Sequence, residues 1–441
     1  MEAIQDDLIS RELAKCNRCG YCMATCPTYR VLREERAVAR GRTELVREVA
    51  EGGREMPVEF QGPLFDCLLC GACTETCFGK VKTDELMVRS RETWYGLHGQ
   101  PGALRFIFDQ LLPHPDRLTR LMRLLSAGKR SGLAEIAQRL GVLRWINAAV
   151  DGASGLVATM PRLFLRDRLG RMGFERTRLG EGMQWSLRPE AGAPAGAPKV
   201  LFFVGCGTNY QVPRQGEAAI QVLHRAGCEV LVIENVCCGL PPYSYGDLDA
   251  ARHLARQNLA LMESAGFDLV VTECGSCSGF LRKWPALLAG EPGAAKAQEI
   301  AGRTREFSEL MVELPLPSPG GALGVSVTYH DPCHLVRGQG IREQPRKLLR
   351  DVAGVTLCEL PEADWCCGGA GSYNIAHPEL SQQILARKVS RIQETGAEVV
   401  ATACPSCVIQ LAFGARTSGA AFKVKHVAEL VAEALGISLI P

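Results

Sequence analysis

Short apolar runs and stretches of helical period alternate along the C-terminal half of this chain, and they do so twice. The first series begins with "VLFFVGC" at Val200 and continues through "RQGEAAIQVLHRAG", "EVLVIENVCCG", "DLDAARHLARQNLALMESAG" and "DLVVTECGSC". The second begins with "VSVTYHDPC" at Val325 and continues through "EQPRKLLRDVAG", "VTLCELPEADWCCGG", "HPELSQQILARKVSRIQETG" and "AEVVATACPSC". The short β-branched and aliphatic runs predict buried strands, and apolar residues at three- and four-residue spacing predict amphipathic helices between them. Strand, helix, strand, helix, strand predicts a parallel sheet with right-handed crossovers, built twice.

Upstream the pattern changes. Between about residues 96 and 190, "LTRLMRLLSAG" and "LAEIAQRLGVLRWINAAV" repeat apolar positions at helical spacing, and "RPEAGAPAGAPK" reads as a linker. At 441 residues the chain is too long for one ordinary core. The expected division is 1–95, a helical connecting region over 96–190, a first α/β unit over 198–320 and a second over 321–441. The fold class is thus α/β with an α-helical N-terminal part.

Charge adds little at the level of the whole chain: a net of +2 gives no nucleic-acid signal. It is uneven, however. Fifteen Lys and Arg face eight Asp and Glu between Gly96 and Glu190. That stretch, ending in "RLFLRDRLGRMGFERTR", is read mainly as an amphipathic helical layer with solvated arginines, and docking to an acidic partner or anionic lipid is the second reading. No apolar run reaches the roughly 18 residues of a membrane span, and the opening "MEAIQDDLIS" is acidic. A cytoplasmic location is expected, with peripheral contact at the inner face of a membrane compatible with it.

Cysteine changes the picture most. Twenty cysteines in a cytoplasmic chain point to metal binding or redox chemistry rather than to disulfides. "CNRCGYCMATCP" supplies Cys16, Cys19, Cys22 and Cys26, and "CLLCGACTETC" supplies Cys67, Cys70, Cys73 and Cys77. This spacing, found twice, is that of two-cluster ferredoxins, in which the fourth cysteine of each run serves the other cluster. Cys16, Cys19, Cys22 and Cys77 are therefore expected to hold one [4Fe-4S] cubane, and Cys67, Cys70, Cys73 and Cys26 the other. Phe78 stands where the motif has proline. The bland alternative, two tetrathiolate zinc sites, normally has a longer loop between its cysteine pairs.

The repeats carry a second cysteine pattern. Cys206, Cys237, Cys238, Cys274 and Cys277 recur as Cys333, Cys366, Cys367, Cys404 and Cys407, offset by 127 to 130 residues. Ligands of parallel α/β sheets sit beyond the carboxyl ends of the strands, where all five thiols of each copy should converge. Five thiols are one too many for tetrahedral zinc or a simple cubane, whereas an opened cluster with a bridging thiolate uses all five. A zinc site with a spare thiol, a redox "CPSC" pair and buried unliganded thiols are the competing readings. Cys228 and Cys358 fall outside the motif. His330 and His334, flanking Cys333, are read as hydrogen-bonding residues rather than ligands, and His377 as a turn residue.

These motifs resemble a known family. The duplicated Cys…Cys-Cys-Gly…Cys-x-x-Cys units look like the cysteine-rich (CCG) domains of heterodisulfide reductase and of glycolate oxidase and lactate-utilisation iron–sulfur subunits. With the eight-cysteine module ahead of them, and with "CGYCMATCPTYRVL", "YHDPCHLVRGQG" and "CCGGAGSYNIAHPEL", the chain is most similar to 2-hydroxy-acid dehydrogenase iron–sulfur subunits. The resemblance implies two cubanes and one or two further non-cubane [4Fe-4S] clusters at the ten repeat cysteines, with zinc in one copy as an alternative. It also implies an FAD-containing dehydrogenase subunit as electron donor, and a quinone or electron-carrier protein as acceptor. The alternative it offers is a heterodisulfide reductase-type subunit whose clusters cleave a disulfide. No G-x-G-x-x-G or P-loop follows a predicted strand, so no nucleotide site is expected on this chain.

Overall fold

The computed structural model of the protein describes residues 7–139, 154–179, 182–189, 196–316 and 321–440. Among the described residues ten strands form two sheets. The first holds β1 (Glu175–Leu179), β2 (Gly182–Leu187), β3 (Lys199–Phe202), β4 (Glu229–Ile233), β5 (Leu269–Thr272) and β6 (Thr304–Glu306). The second holds β7 (Ser326–Tyr329), β8 (Thr356–Cys358), β9 (Val399–Thr402) and β10 (Lys423–His426). Their orders are β1-β2-β4-β3-β5-β6 and β10-β9-β7-β8.

β3 to β6 pair in parallel, as do β7 to β10, so each copy lays its four strands in the order second, first, third, fourth. The registers also correspond: Val200 pairs with Val230 in one copy and Val327 with Leu357 in the other. The expected duplicated parallel α/β architecture is present. Each copy has in addition a fourth strand, β6 or β10, too short and too polar to stand out as an apolar run.

One expectation needs correction. The connecting region does not stay helical to residue 190: "ERTRL" and "GMQWSL" form the antiparallel hairpin β1–β2, and β2 runs antiparallel to β4. The arginines read there as a solvated helix face belong partly to an edge strand, where exposed charge discourages further strand pairing. Arg176 lies over the Trp185 ring at 5.5 Å. Upstream, helices run over Gly102–Phe106, Pro115–Arg130 and Leu133–Arg139, and residues 140–153 lie outside the described set.

The two copies do not own separate cores. One apolar cluster joins Val200, Phe202 and Ala219 of the first copy to Val327, Tyr329 and Leu430 of the second, and another joins Cys277 and Phe280 to Leu385 and Leu411. The helix Pro213–Arg225 packs on the helix Val427–Ala434 across this boundary. The N-terminal module has its own small core of Ile9, Leu13, Val46, Met56, Leu86, Met87 and Trp94.

Candidate metal centres

The two N-terminal cysteine runs fold alike. Arg18 and Leu69, each just before the second cysteine, adopt the left-handed backbone region at φ 57° and 54°. This turn costs a non-glycine residue energy, and its occurrence at matching places marks a shared constraint on both loops. One cavity of about 130 Å³ is lined by Cys16, Cys19, Cys22 and Cys77, with Cys73 at its edge. A narrower one is lined by Cys26, Cys67, Cys70 and Cys73. The last cysteine of each run thus faces the first three of the other.

The two sites differ in surroundings. Cys19 is exposed, and beside it Phe78 and Tyr21 make an edge-to-face pair at 4.9 Å, with Phe78 76% exposed. Lys15, Arg18 and Arg40 line this first site, with no carboxylate among them. At the second site Cys26 and Cys70 are buried and Arg42 is buried beside them, donating to Pro63 O and Thr28 Oγ1. Burial alone would lower the Arg42 pKa, but the thiols of Cys67 and Cys26 outweigh it and hold the guanidinium above its ordinary range.

In each cysteine-rich copy the first strand ends just before a cysteine, the second leads to the Cys-Cys pair, and the third ends before Cys-x-x-Cys. The thiols meet in a line. Hydrogen-bond contacts connect Cys206, Cys237, Cys238, Cys277 and Cys274 in that order. The same order recurs as Cys333, Cys366, Cys367, Cys407 and Cys404, with Cys367 and Cys407 Sγ 3.6 Å apart. The glycine after each pair is required: Gly239 and Gly368 sit at φ 99° and 85°, and a Cβ on Gly368 would lie 2.7 Å from Ser381 O.

The lines also join. Cys274 contacts Cys404 across the boundary between the copies, next to the hydrogen bond from Gly275 N–H to Ala403 O at 3.1 Å. At the other end of copy two, Cys70 of the N-terminal module neighbours Cys366 and Cys333. Arg337 pins this junction, pairing with Glu75 at 2.9 Å and Asp364 at 3.0 Å and reaching Cys70 O. The spatial order is therefore exposed N-terminal site, buried N-terminal site, copy two, copy one, which is not the order in the chain. A cavity of about 210 Å³, lined by Leu69, Cys70, Tyr243, Phe280, Cys333 and His334 among others, opens at the junction. A larger one of about 580 Å³, between Tyr95 and His253, contains no thiol.

The donor sets fit metal. Hydrogen bonds from Cys333 and Cys367 draw the Cys366 pKa well down, and those from Cys274 and Cys407 do the same for Cys404. Their neighbours are pushed up, Cys333 by its hydrogen bond with Cys366, Cys407 by those with Cys367 and then Cys404, and both further by burial. Crowded thiols that must share protons in this way are suited to exchange them for a cation. Cys228, by contrast, is buried alone, with its pKa raised by burial to about 12, and lies in the apolar core. Cys358 lies in β8.

The histidines divide. His334 Nδ1 lies 3.2 Å from Ser276 Oγ, as a hydrogen-bonding residue should. His377 precedes the helix Pro378–Glu394, stacks on Tyr373 and reaches Asp66 Oδ1 at 3.2 Å. His330 fits the expectation only weakly: it is buried near the Ala363 carbonyl, and neither ring nitrogen makes a hydrogen bond of good geometry. Burial, then the Lys388 ammonium, lowers its pKa to about 3. Lys388 was not anticipated. It is itself buried against Glu362 O and Ala363 O, and its signal was a lysine in the apolar stripe with Ile384, Leu385 and Ile392.

Comparison with known proteins agrees with this geometry. Residues 12–81 match the 4Fe-4S dicluster domain, residues 200–282 and 327–412 each match the cysteine-rich domain, and residues 100–150 match the linker region of the glycolate oxidase iron-sulfur subunit. Fold and sites thus define a dicluster iron–sulfur protein with two cysteine-rich domains. The chain is 31% identical to the probable glycolate oxidase iron-sulfur subunit of Bacillus subtilis (strain 168), over 99% of this chain and 98% of that protein. It is 34% identical to lactate utilization protein A of Bacillus cereus (strain G9842), over 53% of this chain and 98% of that one. The chain belongs to the family of glycolate oxidase iron–sulfur subunits. Among the described residues no helix is long and apolar enough to cross a membrane.

Proposed function

We propose that this chain is the iron–sulfur subunit of a complex that oxidises a 2-hydroxy acid such as glycolate or lactate, and that it relays electrons rather than oxidising the acid itself. Cys16, Cys19, Cys22 and Cys77 would hold one cubane, and Cys67, Cys70, Cys73 and Cys26 the second. Cys206, Cys237, Cys238, Cys274 and Cys277 would hold a centre in copy one, and Cys333, Cys366, Cys367, Cys404 and Cys407 one in copy two. Iron–sulfur clusters, when bound, store and pass single electrons. The names of the two relatives support the hydroxy-acid substrate class. Oxidation of the acid itself needs a two-electron cofactor, and an FAD-containing partner subunit supplies one. A quinone or a carrier protein takes the electrons onward.

The observation that carries this reading is the unbroken sequence of cysteine sites from exposed Cys19 to Cys206. Its open end, with Phe78 and Tyr21 beside Cys19, is where a protein donor has access. A second reading, reduction of a small disulfide by the copies themselves, draws support from the completeness of both five-cysteine sets. Iron, sulfide and zinc analysis of anaerobically purified protein, with EPR, tests the proposal. Four clusters give about sixteen irons per chain. About eight irons plus zinc would reduce the protein to a two-cluster relay on a zinc scaffold. Turnover of a low-molecular-weight disulfide by the isolated chain would favour the second reading.

A further inference from the structure

Copy two has a donor beside its thiols that copy one lacks. His330 directly follows β7, and the residue directly following β3 at the matching place is Phe203. His330 is 1% exposed, and neither ring nitrogen makes a hydrogen bond of good geometry. Buried polar groups rarely remain so, because an unsatisfied nitrogen loses its hydration without replacement. Its backbone N–H donates to Ala401 O at 2.9 Å, and the Ala363 carbonyl lies near the ring.

The ring sits against the site. One ring nitrogen and the sulfurs of Cys367 and Cys407 all lie within 4.8 Å of one another, and every member of this trio is buried. Among the described residues no other trio of potential metal-ligand atoms lies this close. With the Ala363 carbonyl drawing on one ring nitrogen at most, the imidazole keeps a lone pair for the two soft donors beside it. That combination is what a mixed nitrogen–sulfur site requires. Phe203 offers copy one nothing of the kind.

We infer that His330 is a metal ligand of copy two, so that the second cysteine-rich site is a mixed imidazole–thiolate centre while the first is all-thiolate. The inference rests on the reading of copy two as a metal site, and it goes further by making the two copies chemically unequal. The five thiolates alone do not account for an imidazole buried with a ring nitrogen against two of them. With His330 as a sixth donor, copy two can bind its metal while one thiol remains free or bridging.

The test uses the full-length holoprotein made with natural-abundance or ¹⁵N-labelled histidine. The copy-two EPR signal is identified as the one missing from the Cys366→Ser/Cys367→Ser variant. Pulsed EPR on that signal should show a nitrogen coupling of the size produced by a directly bound imidazole, changing with the isotope and absent from the copy-one signal. The coupling should vanish in His330→Phe, which installs the copy-one residue, and in His330→Gln. No coupling in the wild type, one of only hydrogen-bond size, or one that persists in a folded His330 variant overturns the inference.

The decisive readout is on the wild-type protein, so a variant that fails to fold does not remove it. Should metal analysis find zinc in copy two, X-ray absorption at the zinc edge decides separately. One nitrogen at about 2.0–2.1 Å with sulfurs at about 2.3 Å upholds the His330 assignment while refuting the cluster reading of that site. Four sulfurs and no nitrogen refutes the His330 assignment. No metal in copy two refutes both.

Discussion

At four matching positions around the thiols, copy one carries Phe203, Val204, Asn258 and Glu273, whereas copy two carries His330, Asp331, Lys388 and Ala403. The scaffolds are otherwise parallel in strand order, register and thiol connectivity. In copy one the buried Asn258 makes neutral hydrogen bonds to Val236 N and Cys237 O, and Glu273 places a buried carboxyl next to Cys274. In copy two the matching places hold a buried ammonium and an alanine. Sulfur-centred redox sites respond to local charge and hydrogen bonding. The duplicated fold therefore supplies two similar cradles, and the side chains behind them make copy two the more favourable place for added negative charge. In the order of the thiols, copy two also stands between the N-terminal module and copy one.

The most severe way to break the symmetry is to delete one cradle at a time. Cys366→Ser/Cys367→Ser and Cys237→Ser/Cys238→Ser should each remove about four irons. Their consequences for electron flow should differ. When the protein is reduced by a protein donor that reaches only the exposed site at Cys19, rapid-freeze EPR should show copy one reduced orders of magnitude more slowly in the copy-two variant. The copy-one variant should leave reduction of copy two at its wild-type rate. Equal kinetics in the two variants would refute the spatial order as the electron path.

Stability distinguishes the copies next. Asp331 and Arg346 form a buried bidentate pair, with both N···O distances 2.9 Å and Arg346 over the Tyr329 ring at 5.0 Å. Copy one has Val204 and Ala219 at these places, both buried. Arg346→Met leaves the Asp331 carboxyl only the more distant Arg342, at 4.0 Å, and should cost about 3–5 kcal/mol in denaturant unfolding. Asp331→Val/Arg346→Ala, which transplants the copy-one pair, should recover much of that loss despite the space left by the arginine. A double variant as unstable as Arg346→Met would show that this pair does more than neutralise itself.

How far the sequence revealed these differences depends on the kind of signal. Three strands per copy and the helices between them were legible because Val, Ile and Leu cluster in strands and recur at helical period in helices. β6 and β10 were not, since "TRE" and "KVKH" mix charged with uncharged residues, as edge strands do. The hairpin β1–β2 was read as an arginine-rich helix for the same reason. Cysteine spacing brought out every candidate thiol and the pairing between the two N-terminal runs. It could not show that Cys274 meets Cys404 or that Cys70 meets Cys366, because contacts between modules leave no spacing in the chain. Lys388 was open to detection as a charge in an apolar stripe. The approach of His330 to Cys367 and Cys407 was not, since a contact across the fold has no sequence signature.

A smaller effect sharpens the electrostatic contrast. Lys388, its pKa lowered to about 8 chiefly by burial, is drawn back toward the charged form by the Cys367 thiol. Lys388→Asn, the copy-one residue, should lower the midpoint potential of the copy-two EPR signal in a redox titration near pH 7, and Glu273→Ala should raise that of copy one. Both changes should leave the iron content intact. Shifts of the opposite sign would mean that burial, not charge, sets the difference.

The mildest contrast lies where the fourth strands end. Glu306 and His426 each cap the following helix in a capping box, with Glu309 and Glu429 as the reciprocal partners. The Ala428 N–H donates to His426 Nδ1 at 3.1 Å, and Nε2–H donates to Glu273 O at 3.0 Å, an arrangement that requires neutral imidazole. Burial lowers the His426 pKa to about 4 and raises that of Glu306 to about 8. For His426 the unfolded chain binds the extra proton between its ordinary pKa of 6.5 and about 4, so its contribution falls as pH drops through that window. For Glu306 the folded chain binds the extra proton between 4.5 and about 8, so its contribution falls as pH rises through that one. Each slope is at most about 1.4 kcal/mol per pH unit. In unfolding measured across pH 5 to 8, Glu306→Gln should flatten the loss of stability toward alkaline pH, and His426→Asn the loss toward acid. If both variants flatten the same limb, the two caps do not hold the opposite protonation preferences that their burial imposes.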